Sequence, residues 1–245
     1  MATESEAICG VRAVFEALAS RRRPVERIHI AREASLSRFQ DIIQSAQEQG
    51  VPVRREARAA LDRLARGSIH QGIVAILGEF AYSSLEALFG SGKPLVVVLD
   101  GVEDPQNLGA VIRTSEACGV SGVIVPERHS APLSAAVARA SAGASAYVPV
   151  VRVTNLARTL VDLKERGLWV VGVDLVATQN WTAFDYKGPI ALVFGGEHRG
   201  LRRLVRDQCD AIVGIPMLGK IKSLNVSAAA AVVLYEVVRQ RLKEP

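Results

Sequence analysis

A chain of 245 residues, 49% apolar and 22% charged, with a formal charge of +5, is long enough for one large domain or two unequal ones without disulfide or metal staples. The apolar fraction excludes intrinsic disorder, the lack of a sustained period excludes a collagen or coiled-coil rod, and the mild positive charge permits a polyanionic partner without requiring one. Three dispersed cysteines, Cys9, Cys118 and Cys209, argue against a disulfide framework or zinc site. With no apolar run near the roughly 20 residues of a membrane helix and no signal-peptide pattern, they lead us to expect a soluble cytoplasmic protein with no metal and no membrane partner.

In chain order, residues 1–77 hold 12 arginines and no lysine against 9 acids, a net +3 that leaves +2 for the other 168 residues. Helical spacing in GVRAVFEALAS, LSRFQDIIQSAQEQ and ARAALDRLARG alternates with the strand candidates VERIHIA, VPVRRE and GIVAILGEF, predicting a small α/β unit. Residues 78–92 contain a short helical turn and a Gly/Ser/Pro breaker, and are expected to be a linker. From 93 to 245, the runs PLVVVLD, GVIVP, LWVVGVDL, PIALVFGG and DAIVGIPM are dense in Val, Ile and Leu without alternation. Strands buried on both faces read this way, so a parallel sheet covered by helices is predicted, with ligands at its carboxyl edge. A dinucleotide fold is excluded at this level: no strand candidate leads into G-x-G-x-x-G, and no phosphate-loop motif occurs.

Three polar clusters interrupt the apolar strand ends. In the first, Asp104-Pro105 marks a helix start, and Asn107 and Arg113 lie six residues apart, about 240° around an ideal helix. They are either a capping Asn and a surface Arg, or members of one site with Asn107 in the loop or first turn. In the second, Glu197 sits between glycines at a strand end, as a helix-cap partner or a catalyst. Arg199, Arg202, Arg203 and Arg206 then fall at helical spacing as one basic face, either solvated or able to hold phosphate. In the third, Ser223 and Asn225 follow a turn flanked by Lys220 and Lys222. A helix opening at Ser227 comes next, apolar nearly all round, which must be covered by the sheet or by a second subunit.

The runs DPQNLGAVIRT, GGEHRGL and IPMLGKIKSLNVS resemble, in order, the three signature motifs of the SpoU/TrmH family, and the first unit resembles an L30e-like substrate-binding domain. The resemblance implies a trefoil-knotted α/β catalytic domain of the SPOUT superfamily working as a homodimer, with S-adenosylmethionine bent into the knot loops. It also implies 2′-O-methylation of ribose in RNA, nearest in pattern to the branch acting on a guanosine in the peptidyl-transferase loop of 23S ribosomal RNA. A tRNA, another ribosomal site, and a catalytically silent assembly factor are the alternatives. Carried over by position, Gly195, Ile215, Met217 and Leu224 would contact the cofactor. Asn107, Arg113, Glu197, Ser223 and Asn225 would form the catalytic set, with Arg113 able to act across the dimer. His198 reads as a general base or as a positioned loop residue. Lys220-Ile221-Lys222 and His198-Arg199 depart from the pattern that the resemblance implies.

Overall fold

The computed structural model describes residues 6–20, 23–78, 80–90, 92–177, 179–196 and 200–242. The chain forms two compact units, residues 1–81 and 82–245.

The first unit runs β1 (Glu6–Cys9), α1 (Val11–Ser20), β2 (Val25–Ala31), α2 (Gln40–Glu48), β3 (Val53–Glu56), α3 (Arg58–Ala65) and β4 (Ile73–Leu77). Its sheet order is β1-β4-β2-β3; β4 is antiparallel to both neighbours and β3 is parallel to β2. The helical spacing read in α1 and α2 buries Val14, Leu18, Ile42 and Ala46 on one face, while Leu61 and Ala65 of α3 pack with Val74 and Ile76 on the other. Strand β1 was not foreseen: four residues before Gly10 are too few to show a period.

The second unit continues with β5 (Leu95–Asp100), α4 (Pro105–Ala117), β6 (Gly122–Pro126), α5 (Ala135–Ala140), β7 (Val150–Val153), α6 (Leu156–Glu165), β8 (Trp169–Val173), β9 (Gln179–Asn180), β10 (Ile190–Gly195), α7 (Arg203–Arg206), β11 (Ala211–Gly214) and α8 (Val226–Arg241). Residues 82–89 belong to it: Ser83 bridges Val151, Leu88 is buried, and the Leu133 N–H donates to the Tyr82 hydroxyl at 2.9 Å. Seven strands in the order β7-β6-β5-β10-β8-β11-β9 pair throughout in parallel. The expected double burial is present. Leu95, Val97 and Leu99 of β5 join the core under α4 and α8, and Val96 and Val98 join the core under α6, each contributing about 1.5–3 kcal/mol on full burial.

Chain order places the site. From β5 the chain builds β6 and β7 to one side; it then crosses over to lay down β8 and β9 on the other side, β10 fills the place between β5 and β8, and β11 that between β8 and β9. The connections therefore run to opposite sides of the sheet from the β5/β10 boundary, and in an open parallel sheet the crevice at the carboxyl ends beside such a point is where ligands bind.

Candidate functional site

Asp104 starts α4 as foreseen: its carboxylate accepts the Gln106 N–H at 3.0 Å, and Pro105 occupies the first turn. Asn107 thus lies in that first turn and is buried, whereas Arg113, most of a turn out of phase, is exposed. At the other end of the site Asn225 caps α8, accepting from the Ser227 N–H at 2.9 Å, and its Nδ2 donates to Asn107 Oδ1 at 2.9 Å. Two residues 118 positions apart are joined directly. The helix accordingly opens at Val226, one residue earlier than Ser227 would place it.

Two cavities meet at the strand ends. One, of about 120 Å³, is lined by all four expected cofactor contacts, Gly195, Ile215, Met217 and Leu224, together with Ser223, Val226 and others. The second, of about 600 Å³, includes Asp100, Glu103, Asn107 and Arg202, and shares Gly196 and Gly200 with the first. Arg113 lines neither cavity. Glu197, His198 and Arg199 lie outside the described residues.

The shared wall is made of backbone. A Cβ on Gly195 would fall inside the van der Waals envelope of Gly200 and Leu201, and one on Gly196 would strike the Gly101 carbonyl. Only glycine admits so close an approach.

Two carboxylates that sequence reasoning passed over hold this wall. Asp100, buried at the end of β5, accepts from the Arg202 N–H at 2.8 Å and from Arg202 Nε at 2.5 Å. Asp174, just past β8, accepts from Arg206 Nη2 at 2.6 Å and from the Leu201 N–H at 3.2 Å. The signal was available: each acid terminates an apolar run, and a buried carboxylate must be paired. These pairs also correct the reading of a basic helix face. Arg202 is extended at the N-cap of α7, which spans only Arg203–Arg206. Arg202 and Arg206 are bound to Asp100 and Asp174, and Arg203 approaches Asp207 at 3.9 Å. The arginines act mainly as countercharges to strand-end acids rather than as a phosphate stripe.

Burial pushes the Asp174 carboxyl pKa up. The N–H of Val176, the Arg206 guanidinium and the Leu201 N–H outweigh that effect and bring it below its ordinary 3.8. A depressed carboxylate stabilises the fold fully above its unfolded pKa, and the contribution is lost as pH falls through the lower folded value. Asp174→Asn is therefore expected to lower stability by about 2 kcal/mol at neutral pH, because it leaves Arg206 without its countercharge. The loss should shrink below pH 4 in thermal melts across pH.

Burial raises the thiol pKa of Cys118 to about 11 and, aided by Asp210, that of Cys209 to about 12. Neither suits a nucleophile at neutral pH. Among the described residues, no group of His, Cys, Asp and Glu could hold a metal ion, and no helix is long and apolar enough to cross a membrane.

Residues 94–235 match the family model described as the SpoU rRNA methylase family, and residues 7–83 match that for RNA 2′-O ribose methyltransferase substrate binding. The chain belongs to the SpoU rRNA methylase family. It is 42% identical, over 99% of both chains, to the 23S rRNA (guanosine-2′-O-)-methyltransferase RlmB of Xanthomonas axonopodis pv. citri. It is 40% identical, over 98% of both, to YacO of Bacillus subtilis, a putative TrmH family tRNA/rRNA methyltransferase. Among solved structures it resembles the SpoU methyltransferase AviRb of Streptomyces viridochromogenes in complex with AdoMet (28% identity, TM-score 0.73, covering 97% of this chain and 91% of that one). It also resembles an AdoMet-bound rRNA methyltransferase of Sinorhizobium meliloti (27% identity, TM-score 0.75, covering 96% and 87%). As a SpoU methylase the protein is an RNA ribose 2′-O-methyltransferase, and its cofactor is S-adenosylmethionine.

Proposed function

We propose that the protein methylates the ribose 2′-OH of a guanosine in 23S ribosomal RNA, in the peptidyl-transferase loop. The observation that carries this reading is the end-to-end likeness to RlmB enzymes, 42% identical over 99% of the chain. It extends through both the substrate-binding unit and the site.

The residues at the strand ends fit the cofactor. The smaller cavity is predominantly apolar, and its wall is backbone packed so closely at Gly195 and Gly196 that a Cβ at either would strike neighbouring main chain. Gly195, Ile215, Met217 and Leu224 would hold S-adenosylmethionine, which supplies a methyl group on a sulfonium that is already a good leaving group. What remains for the chain is alignment of the ribose and stabilisation of charge at its oxygen. Asn107, tied to Asn225, lines the larger cavity, and Ser223 lines the smaller one; Glu197, outside the described residues, is kept in the catalytic set on its place in the sequence. Arg113 stabilises the developing alkoxide through its guanidinium donors. Because its side chain lies away from both cavities of its own chain, we assign it to the site of a second copy. The exposed side of α8, with Tyr235 56% accessible and Ala228 exposed, supports such a homodimer. The opposite side of α8, with Ala230, Val233, Leu234 and Val237, is buried against α4 and the sheet. The backbone crossing at residues 195–196, 200–201 and 101 is read as part of the trefoil knot.

Residues 1–77 are read as the RNA-docking domain, 93–245 as the methyltransferase domain, and 78–92 as the connection, of which residues 82–89 pack on the second unit. Removing residues 1–81 is expected to leave S-adenosylmethionine affinity unchanged within about twofold while abolishing preference for 23S over unrelated RNA. Calorimetry and filter binding check the two halves of that statement. The function itself is tested by mapping ribose methylation in a strain lacking the gene. One guanosine of the peptidyl-transferase loop should lose its methyl group and regain it on complementation. Loss at a tRNA position instead would refute the assignment.

A further inference from the structure

The larger cavity has a chemistry that the methyl transfer does not use. Its volume, about 600 Å³, falls within the range of about 300–1,000 Å³ usual for small-ligand sites. Its ionisable lining residues are Asp100, Glu103, Asp104, His129 and Arg202. Asp100 is saturated by two hydrogen bonds from Arg202. Asp104 is engaged as the cap of α4. Glu103 differs: its side chain is 66% exposed at the cavity rim, and its one ion pair among the described residues, to the equally exposed His129 Nδ1 at 3.4 Å, leaves acceptor capacity for a ligand there.

The backbone of His129 is left-handed, with φ of 59°, a region that histidine enters more readily than most residues. A non-glycine residue there costs of order 1 kcal/mol or more and persists where the surroundings demand that placement. This conformation sets the imidazole against Glu103 at the cavity rim.

We infer that Glu103, positioned by His129, reads the base of the target nucleotide and selects guanine, a step that rests on the guanosine assignment above. Among the four bases, guanine alone presents two adjacent donors, N1–H and the N2 amine, on its Watson–Crick edge. A carboxylate accepts both at once, in the bidentate manner it uses with arginine. Adenine and cytosine turn a ring-nitrogen lone pair toward the carboxylate, and uracil offers a single N–H between two carbonyls. Glu103 therefore rejects these bases as well as favouring guanine. A base drawn out of its stack is read along that edge, and the cavity meets the cofactor cavity at Gly196 and Gly200. Base and ribose of one nucleotide can thus be held together.

The test uses the full-length protein and 23S fragments carrying guanosine or inosine at the mapped position. Inosine keeps N1–H and lacks the amine. The wild type should favour guanosine by at least about tenfold in kcat/KM. Glu103→Gln should lose about tenfold or more on guanosine and bring the guanosine-to-inosine ratio close to one, with S-adenosylmethionine affinity unchanged by calorimetry. His129→Ala should lower the same ratio by a smaller factor. A wild type indifferent to the amine, or a Glu103→Gln variant that keeps the wild-type ratio, overturns the inference while leaving the guanosine assignment standing. A wild-type product mapped to another base overturns both, and is visible before any variant is made.

Discussion

Arg113→Ala is expected to reduce methyl transfer by about 10³-fold while S-adenosylmethionine and RNA affinities stay within a few-fold of wild type. The expectation follows from the division of labour at the site. The sulfonium needs no help to leave, so the barrier that the protein can lower lies at the ribose oxygen, where negative charge develops and a fixed guanidinium is most effective. Arg113 is exposed on α4 and lines neither cavity of its own chain, so its removal should disturb no packing. Its placement gives a sharper version of the same experiment. If Arg113 serves the partner's site, mixing Arg113→Ala with a variant defective in cofactor binding yields heterodimers with one complete site. Activity should return to about a quarter of wild type after random reassortment of a twofold dimer. No recovery on mixing, with heterodimers present by mass spectrometry, would show that the arginine acts within its own chain.

The features legible in the sequence share a physical cause: they are repeated along the chain. Strands β5, β6, β8, β10 and β11 announced themselves as apolar runs because burial on both faces demands apolar residues at every position, and all five lie in one parallel sheet. The helix start at Asp104-Pro105 was legible because capping is local. What depended on contacts between distant residues was not. Asp100 and Asp174 read as the last letters of two strands until their partners Arg202 and Arg206 were in view. Those same partners read as a basic helix face because spacing alone cannot show that Arg202 is extended. The hydrogen bond from Asn225 to Asn107 spans 118 positions and leaves no local trace. Short or irregular elements were missed for a related reason: β9 has two residues, and β1 four, too few to carry a period.

Gly195→Ala is expected to weaken S-adenosylmethionine binding by at least about 100-fold and to lower the melting temperature by about 4–8 °C. That shift corresponds to about 2 kcal/mol of overpacking in a chain of this size. The added methyl group meets the backbone of Gly200 and Leu201 rather than the end of a flexible side chain, so the backbone itself must move. It is poorly placed to do so. The Leu201 N–H is held by Asp174, and the next residue, Arg202, is held by Asp100 through both its N–H and its guanidinium. Any shift large enough to admit the methyl group loosens those bonds or displaces the glycine wall, and Gly195, Gly196 and Gly200 are that wall. Binding should therefore suffer more than stability. Gly188→Ala is the matched control: nothing lies within 4 Å of a Cβ there, and it should bind and melt as the wild type does. Wild-type affinity in Gly195→Ala, measured by calorimetry beside that control, would mean that the cofactor lies elsewhere than the cavity assigned to it.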